Sequence, residues 1–97
     1  MVKMITKDKN QMLWEERMLL NRLAERKGLY LNMGTVRNGI GIDYLFSDKR
    51  YLKNFIIIKN SNDLDIEMLK LSGYKVLQTE EINVNQVEFL IDYIFRT

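Results

Sequence analysis

The segment Asn54-Phe55-Ile56-Ile57-Ile58-Lys59, near the middle of the chain, gives the clearest indication of the fold. Its four apolar residues are consecutive and mostly β-branched, which is typical of a strand buried on both faces of a sheet. Asn60-Ser61-Asn62-Asp63 follows at once and offers several N-caps for a helix. We therefore expect a central strand over 54–59 that leads directly into a helix.

Downstream of this strand, the pattern predicts a helix, a strand and a second helix. The first of these helices carries Leu64, Met68 and Leu71 as its apolar stripe. A strand over 74–78 follows, and because a helix connects it to the central strand, we expect the two strands to be parallel. Asn83 then opens the last helix at capping-box spacing. The apolar stripe of that helix comprises Val87, Leu90, Ile91 and Ile94.

Upstream of the central strand, two β-type runs over 29–36 and 40–46 predict a hairpin. They are joined at Arg37-Asn38-Gly39, where Asn-Gly accepts the positive φ angles of a tight turn. Strict alternation along the second run places on one face Ile40, Ile42, Tyr44 and Phe46. Asp43 then lies in mid-strand on the opposite face.

The first third of the chain predicts a long amphipathic helix over 8–27, capped by Thr6 or Asp8. Its expected buried residues are Met12, Leu13, Trp14, Met18, Leu19, Leu20, Leu23 and Ala24. The element order is thus αβββαβα, which predicts an α/β protein with a single mixed β-sheet flanked by helices. We expect one domain over 1–97.

Composition limits the chemistry of the chain. At 97 residues, 46% hydrophobic and 29% charged, it is one small globular domain. It has neither Cys nor His, which removes thiol nucleophiles, imidazole bases and most zinc sites. No apolar run approaches the ~20 residues of a membrane helix, and the N-terminus lacks a signal-peptide core. We expect a cytoplasmic protein without a membrane segment, in a cell or a virus-infected cell.

Asp43 is the most unusual residue, because strand interiors disfavour Asp and its neighbours are apolar. A half-buried carboxylate requires a partner. That partner is either a cation such as Lys59, in a structural ion pair, or a divalent metal that serves phosphodiester hydrolysis. The sequence leaves both interpretations open.

The chain resembles the core of the PD-(D/E)XK nuclease superfamily in four features. These are the element order, the acidic residue in the second strand, the hydrophobic third strand that ends in Lys, and the segment Gly73-Tyr74-Lys75-Val76-Leu77. The likeness is greatest to its small Holliday-junction-resolvase and very-short-patch-repair-like branches, and it implies a restriction-endonuclease-like core. By this resemblance Asp43 is the metal ligand, Lys59 orients the attacking water, and Glu15 or Glu16 is the helix glutamate.

The chain departs from this family at one position. The family has a second metal-binding carboxylate two residues before the Lys, and this chain has Ile57 there. Isoleucine cannot coordinate Mg²⁺, which takes oxygen ligands. We therefore expect a degenerate member that keeps the fold without the cleavage chemistry, and we expect Mg²⁺ as cofactor only if the nuclease interpretation holds.

The basic run Lys49-Arg50-Tyr51-Leu52-Lys53, with Arg37 in the hairpin turn, is a candidate nucleic-acid contact that we place beside Asp43 and Lys59. Residues 1–60 hold 12 Lys and Arg against 6 Asp and Glu, whereas residues 61–97 hold 3 against 7. Such asymmetry suits a surface that faces phosphates. The alternative is an ordinary solvated turn.

Three functional hypotheses follow. The first is a noncatalytic binding or regulatory protein, encoded for instance by a virus or mobile element, that contacts nucleic acid or a protein partner. The second is a Mg²⁺-dependent endonuclease or junction resolvase with Asp43, Lys59 and Glu16 in a variant active site. The third is a pure protein-interaction or inhibitor subunit. We also expect a homodimer, because so small a domain gains stability from dimerisation and because an apolar third strand needs cover, either from the helices or from a second copy.

Overall fold

The structure, a computed structural model, describes residues 9–50 and 52–96, with side chains described from Gln11 onward. Its elements are α1 (Lys9–Lys27), β1 (Tyr30–Arg37), β2 (Ile40–Ser47), β3 (Asn54–Ile58), α2 (Asp63–Leu71), β4 (Lys75–Gln78) and α3 (Val84–Phe95). The expected α/β class and element order are confirmed. The predicted caps Thr6 and Asp8 lie outside the described residues. No described helix is long and apolar enough to cross a membrane.

The four strands form one mixed sheet in the order β1-β2-β3-β4. The pairs β1–β2 and β2–β3 are antiparallel, and β3–β4 is parallel, as the helical connection predicts. Asn38 and Gly39 have φ angles of 54° and 75°, so the predicted Asn-Gly hairpin turn is also confirmed. Of the described strands, β1 and β4 are the edges.

Both faces of β3 are covered, which explains its unbroken run of apolar residues. Phe55 and Ile57 pack in the core that α1 and α3 close, whereas Ile56 and Ile58 pack in the core that α2 closes. Phe55 also stacks on Phe46 of β2, with ring centroids 6.0 Å apart. The result is a three-layer arrangement with the sheet in the middle.

The buried face of α1 differs from the expected one. Leu20, Leu23 and Ala24 are buried, but Trp14 is 61% exposed. Met12 and Leu19 are exposed as well. The face that meets the sheet includes Glu16, which is only 17% exposed and finds a polar partner there. Glu16 therefore occupies part of the helix face that points to the sheet, and Met12, Trp14 and Leu19 lie outside that face.

The expected apolar stripe of α2 is wrong. Leu64, Met68 and Leu71 are exposed, Leu71 by 84%, while Ile66 and Leu69 are buried against the sheet. The helix begins at Asn62, whose side chain accepts a hydrogen bond from the Asp65 backbone N–H. Ile66 and Leu69 are three positions apart and form a second, smaller apolar stripe, and it is this stripe that packs against the sheet.

The predicted alternation along β2 breaks at Asp43. Ile40 and Ile42 pack with Leu45 on the α2 side, whereas Tyr44 and Phe46 pack on the other side. The ladder skips the position where Asp43 opposes Gly34, whose φ is 63°. A positive φ turns the chain out of regular strand geometry, so the far half of the hairpin joins the α2 core.

The far end of the hairpin reaches α2. Asn38 Nδ2 donates a hydrogen bond of 2.8 Å to Ser72 Oγ at the C-cap of that helix. Ser72 Oγ in turn donates to the Met68 carbonyl oxygen at 2.9 Å. The β1–β2 hairpin is therefore tied both to the sheet and to the helix that covers it.

Candidate functional site

Glu16, Asp43 and Lys59 lie together where β3 ends. Lys59 Nζ lies 2.7 Å from Glu16 Oε2, and the Lys59 backbone N–H donates to Asp43 Oδ2 at 2.8 Å. Glu16 is therefore the α1 glutamate that bonds Lys59. The side chains of Glu16 and Lys59 are 17% and 24% exposed, so this ion pair is largely withdrawn from water. The arrangement brings together three residues from α1, β2 and the end of β3.

Tyr44 is a fourth member of this cluster. Its hydroxyl donates to Glu16 Oε2 at 2.6 Å. Burial, followed by the hydrogen bond to Glu16, raises the pKa of Tyr44 well above its usual value near 10. Sequence reasoning placed Tyr44 on one face of the second strand and gave its hydroxyl no partner, although a buried tyrosine needs one.

The donor atoms in this cluster do not fit a Mg²⁺ site. Glu16 Oε2 accepts from both Lys59 and Tyr44, and Asp43 Oδ2 accepts a backbone N–H. Ile57 is fully buried in the core, so no side-chain oxygen is supplied from that position. Mg²⁺ requires oxygen ligands in near-octahedral geometry. Within 9–50 and 52–96, the structure contains no group of three or more acidic residues that could hold a metal.

A cleft of about 700 Å³ opens beside Lys59 between α1 and the segment after β4. Three carboxylates line it, from Glu16, Glu80 and Glu81. They do not converge on one point, but together they make this end of the sheet acidic. A phosphodiester that approaches Lys59 would meet this negative charge.

The basic run predicted beside Lys59 lies at the other end of β3. Lys49, Arg50 and Lys53 precede the strand, whereas Lys59 follows it, so about 16 Å of strand separates the two sites. The predicted adjacency is wrong because β3 runs straight between them. Tyr51, the aromatic of this run, lies outside the described residues.

Asp48 holds the loop that carries the basic run. Its Oδ1 accepts hydrogen bonds from the backbone N–H groups of Leu52 at 2.8 Å and Lys53 at 3.4 Å. Its own N–H donates to the Lys53 carbonyl oxygen at 3.3 Å. Lys49 Nζ lies 3.8 Å from the centre of the Tyr30 ring. The loop is thus a closed turn with defined charge positions.

Arg37 ends β1 and opens the hairpin turn. Its guanidinium donates to Thr35 Oγ1 at 3.0 Å and to the Val36 carbonyl oxygen at 2.8 Å. The charged group therefore turns back along its own strand, and it does not join the loop that carries Lys53.

A groove at the edge of the sheet was missed by the sequence analysis. It has a volume of about 810 Å³ and lies along β4, between α2 and α3. Four cationic side chains line it, those of Lys53, Lys70, Lys75 and Arg96. No carboxylate is found among the described residues of its lining. We call it the basic groove. Its cations come from four separate segments, so no run in the sequence reveals it.

The cations of the basic groove are largely free of carboxylate partners. Lys53 Nζ donates to the Arg96 carbonyl oxygen at 3.0 Å, and the Arg96 guanidinium lies 5.0 Å from the centre of the Tyr93 ring. In the part of the chain that the structure describes, neither Lys70 nor Lys75 has an ion-pair partner. Their charge is therefore available to a bound anion.

Lys27 at the end of α1 differs from the lysines of the basic groove because it is paired with carboxylates. Its Nζ lies 2.8 Å from Asp92 Oδ1 and 3.1 Å from Glu88 Oε2, both on α3. The hydrogen bond to Asp92, then that to Glu88, raises the pKa of Lys27. This lysine ties two helices together, so its charge is already neutralised within the fold.

Compared with known proteins, the chain matches no family model, no curated protein and no solved structure. The fold and the two sites define its class: a three-layer α/β protein with a self-paired acid–lysine cluster at one end of β3 and a basic groove at the other.

Proposed function

We propose that this protein is a noncatalytic binding protein that contacts nucleic acid through the basic groove. The observation that carries the proposal is the convergence of Lys53, Lys70, Lys75 and Arg96 around one groove without a carboxylate in its described lining. Cations that a fold gathers without pairing them attract a polyanion, and phosphate backbones are the polyanions that proteins meet most often.

The loop before β3 adds cations at the same end of the sheet. Lys49 and Arg50 are exposed in the same turn as Lys53, but Lys49 Nζ lies over the Tyr30 ring of β1, at the opposite edge of the sheet from the basic groove. Contacts of this kind give affinity that depends on salt and not on sequence. The proposal therefore retains the predicted roles of Lys49, Arg50 and Lys53.

The noncatalytic part of the proposal is supported by the cluster at Lys59. One oxygen of each carboxylate, Glu16 Oε2 and Asp43 Oδ2, accepts hydrogen bonds from groups of the protein itself, and Ile57 supplies no ligand. Moreover, the cations that would hold a phosphate backbone lie a strand length away. A nuclease needs its catalytic groups and its phosphate contacts at one place.

Fluorescence anisotropy with labelled DNA and RNA, at about 50 and about 200 mM NaCl, tests the proposal. We expect binding that weakens strongly as salt rises. Lys75→Gln should weaken it and reduce the slope of log K against log salt by about 0.7–0.9. Arg22→Gln, which removes an exposed cation of α1, is the matched control. No binding at low salt, or equal losses in both variants, would refute the proposal.

The meeting of Glu16, Asp43 and Lys59 is the one observation that favours the endonuclease as a second candidate. Incubating the protein with labelled duplex and branched DNA, with Mg²⁺, Mn²⁺ or EDTA, separates the two. We expect no metal-dependent cleavage. Cutting that Asp43→Asn abolishes would establish the enzyme and overturn the noncatalytic proposal.

A further inference from the structure

We infer that the basic groove takes a single-stranded segment of nucleic acid, with a base stacked on Tyr93. This inference rests on the proposed function and narrows it to one class of ligand. It is carried by the shape of the groove, by an exposed aromatic ring within it, and by the positions of the unpaired cations.

The shape of the groove favours one strand over a duplex. Proteins that read a duplex insert a projecting helix or ribbon into its major groove. The basic groove does not project in this way; it is an open groove with a volume of about 810 Å³, which lies in the range of small-ligand sites. A few nucleotides of one strand can enter such a space, whereas the wide cylinder of a duplex would rest on its rim.

Tyr93 supplies the stacking surface. It lines the groove from α3 and remains 62% exposed, although Arg96 lies against its ring. Sites for single strands combine a positive groove with aromatic rings on which bases stack, and a neighbouring arginine adds a cation–π contribution. Apolar side chains of β4 and α3, among them Val76 and Leu90, line the same groove and give a base a dry surface to lie against.

The cations are arranged around this ring. The Arg96 guanidinium lies next to the Tyr93 ring, and Lys53 Nζ donates a hydrogen bond to the Arg96 carbonyl oxygen. Lys70 and Lys75 line the groove from the end of α2 and the start of β4. A strand whose base lies on Tyr93 therefore has cations available for its phosphates from separate elements.

An acidic peptide is the other anion that such a groove admits, since β4 is an edge strand to which an extended chain could add. Two features favour nucleic acid. The available edge is only four residues long, from Lys75 to Gln78. Furthermore, a nucleic-acid base can stack on an exposed tyrosine ring among lysines, whereas a glutamate side chain has no planar ring to stack on it.

The test compares two exposed aromatics of the same helix. Tyr93 lines the groove, and Phe89, one turn earlier and 70% exposed, does not. The probe is fluorescein-labelled oligothymidylate about 12 nucleotides long, with a duplex of the same length and poly-glutamate as competitors. We expect Tyr93→Ala to weaken binding of the single strand about tenfold or more. Phe89→Ala and Tyr93→Phe, which keeps a stacking ring, should stay within about twofold of the parent.

The outcomes separate this inference from the proposed function. If the duplex binds more tightly than the single strand, or if Tyr93→Ala and Phe89→Ala behave alike, the inference is wrong while nucleic-acid binding stands. The two competitors are compared at equal concentrations of negative charge. If poly-glutamate displaces the oligonucleotide at a lower such concentration than the duplex requires, the groove is a peptide site. If the parent protein binds none of the nucleic acids, both this inference and the proposed function are refuted. Circular dichroism of each variant confirms that it is folded.

Discussion

One carboxylate oxygen, Glu16 Oε2, organises the end of β3. It accepts from Lys59 Nζ and from the Tyr44 hydroxyl, and all three groups are shielded from bulk water. A buried donor or acceptor that loses its partner costs more free energy than the intact pair contributes. The cluster should therefore respond to the loss of one member as a unit.

A double-mutant cycle of Glu16→Gln and Lys59→Met measures this coupling. Each single variant should lower the free energy of unfolding by about 1–3 kcal/mol, because it leaves a half-buried group without its partner. The double variant should lose less than the sum, with a coupling of about 1–2 kcal/mol. Urea denaturation gives all four values. Strict additivity would show that the ion pair contributes nothing to stability.

Tyr44 should resist ionisation in the folded protein. Since its pKa is raised by burial and by Glu16, its contribution to stability is complete below about pH 10 and falls as the pH rises further. In a titration followed at 295 nm, Tyr44→Phe should leave the amplitude of phenolate formation up to about pH 11 unchanged, because the raised pKa keeps the Tyr44 hydroxyl protonated until the protein unfolds. A smaller amplitude in that variant over the same range contradicts the buried hydrogen bond.

At the scale of elements, the bend in the β1–β2 hairpin depends on backbone conformation at one residue. Gly34 has a φ of 63°, whereas Gly41, on the paired strand, has no positive φ. A Cβ added at either glycine would meet no atom within 4 Å, so sterics with the neighbours do not distinguish the two. Only the left-handed conformation at Gly34 resists a side chain.

This pair of glycines gives a matched prediction. Gly34→Ala should lower the free energy of unfolding by about 1–2 kcal/mol, because alanine is strained at positive φ. Gly41→Ala should be neutral or stabilising by up to about 1 kcal/mol, since it restricts the unfolded chain. Thermal unfolding of both variants checks this. If Gly41→Ala were the more harmful, the bend would not lie at Gly34.

The phase of α2 gives another prediction at this scale. Leu69 is fully buried and Leu71, two residues later, is 84% exposed. Leu69→Ala should cost about 2–5 kcal/mol through lost burial and the cavity it leaves. Leu71→Ala should change stability by no more than about 0.5 kcal/mol. Chemical denaturation of the two variants decides which stripe faces the sheet, and the reverse ranking would restore the stripe that the sequence favours.

These elements also show which parts of the fold could be predicted from the sequence. The uninterrupted run Phe55–Ile58 and the Asn38–Gly39 turn were predictable, because each pattern corresponds to one local geometry. The inward face of α2 was not, since two stripes have the same period and the larger one is exposed. The break at Asp43 depends on Gly34 of the neighbouring strand, and single-strand alternation contains no information about it.

The candidate sites likewise include residues that the sequence predicts and residues that it does not. Asp43, Glu16 and Lys59 were named from the sequence and lie together in the structure. Tyr44 was missed because its hydroxyl partner is 28 residues away. The basic groove was missed because Lys53, Lys70, Lys75 and Arg96 are scattered along the chain, and only the packing of α2 and α3 beside β4 gathers them.

At the scale of the whole molecule, charge is separated along β3. Glu16, Glu80 and Glu81 line the cleft at its end, and the basic groove opens at its start. The two ends of the sheet therefore differ in charge, and the proposed phosphate contacts lie at the basic end. The excess of basic residues in the first 60 positions does not reveal this division, since Lys70, Lys75 and Arg96 come later in the chain.

The homodimer remains a prediction, but only one of its two reasons still applies. Helices cover β3 on both faces, so this strand needs no second copy, whereas the small size of the domain still favours dimerisation. The exposed stripe of Leu64, Met68 and Leu71 is the apolar surface of α2 that the fold leaves open. Sedimentation equilibrium of the purified protein measures the oligomeric state directly.

We propose that the ligand binds at the start of β3 and that the acid–lysine cluster at the end of this strand is structural. A titration of ¹⁵N-labelled protein with oligothymidylate, followed by amide chemical shifts, locates binding residue by residue. We predict that the largest changes lie at Lys53, Lys70, Lys75, Tyr93 and Arg96. Changes centred instead on Asp43, Lys59 and Glu80 would contradict the account and assign the ligand to the cluster at the other end.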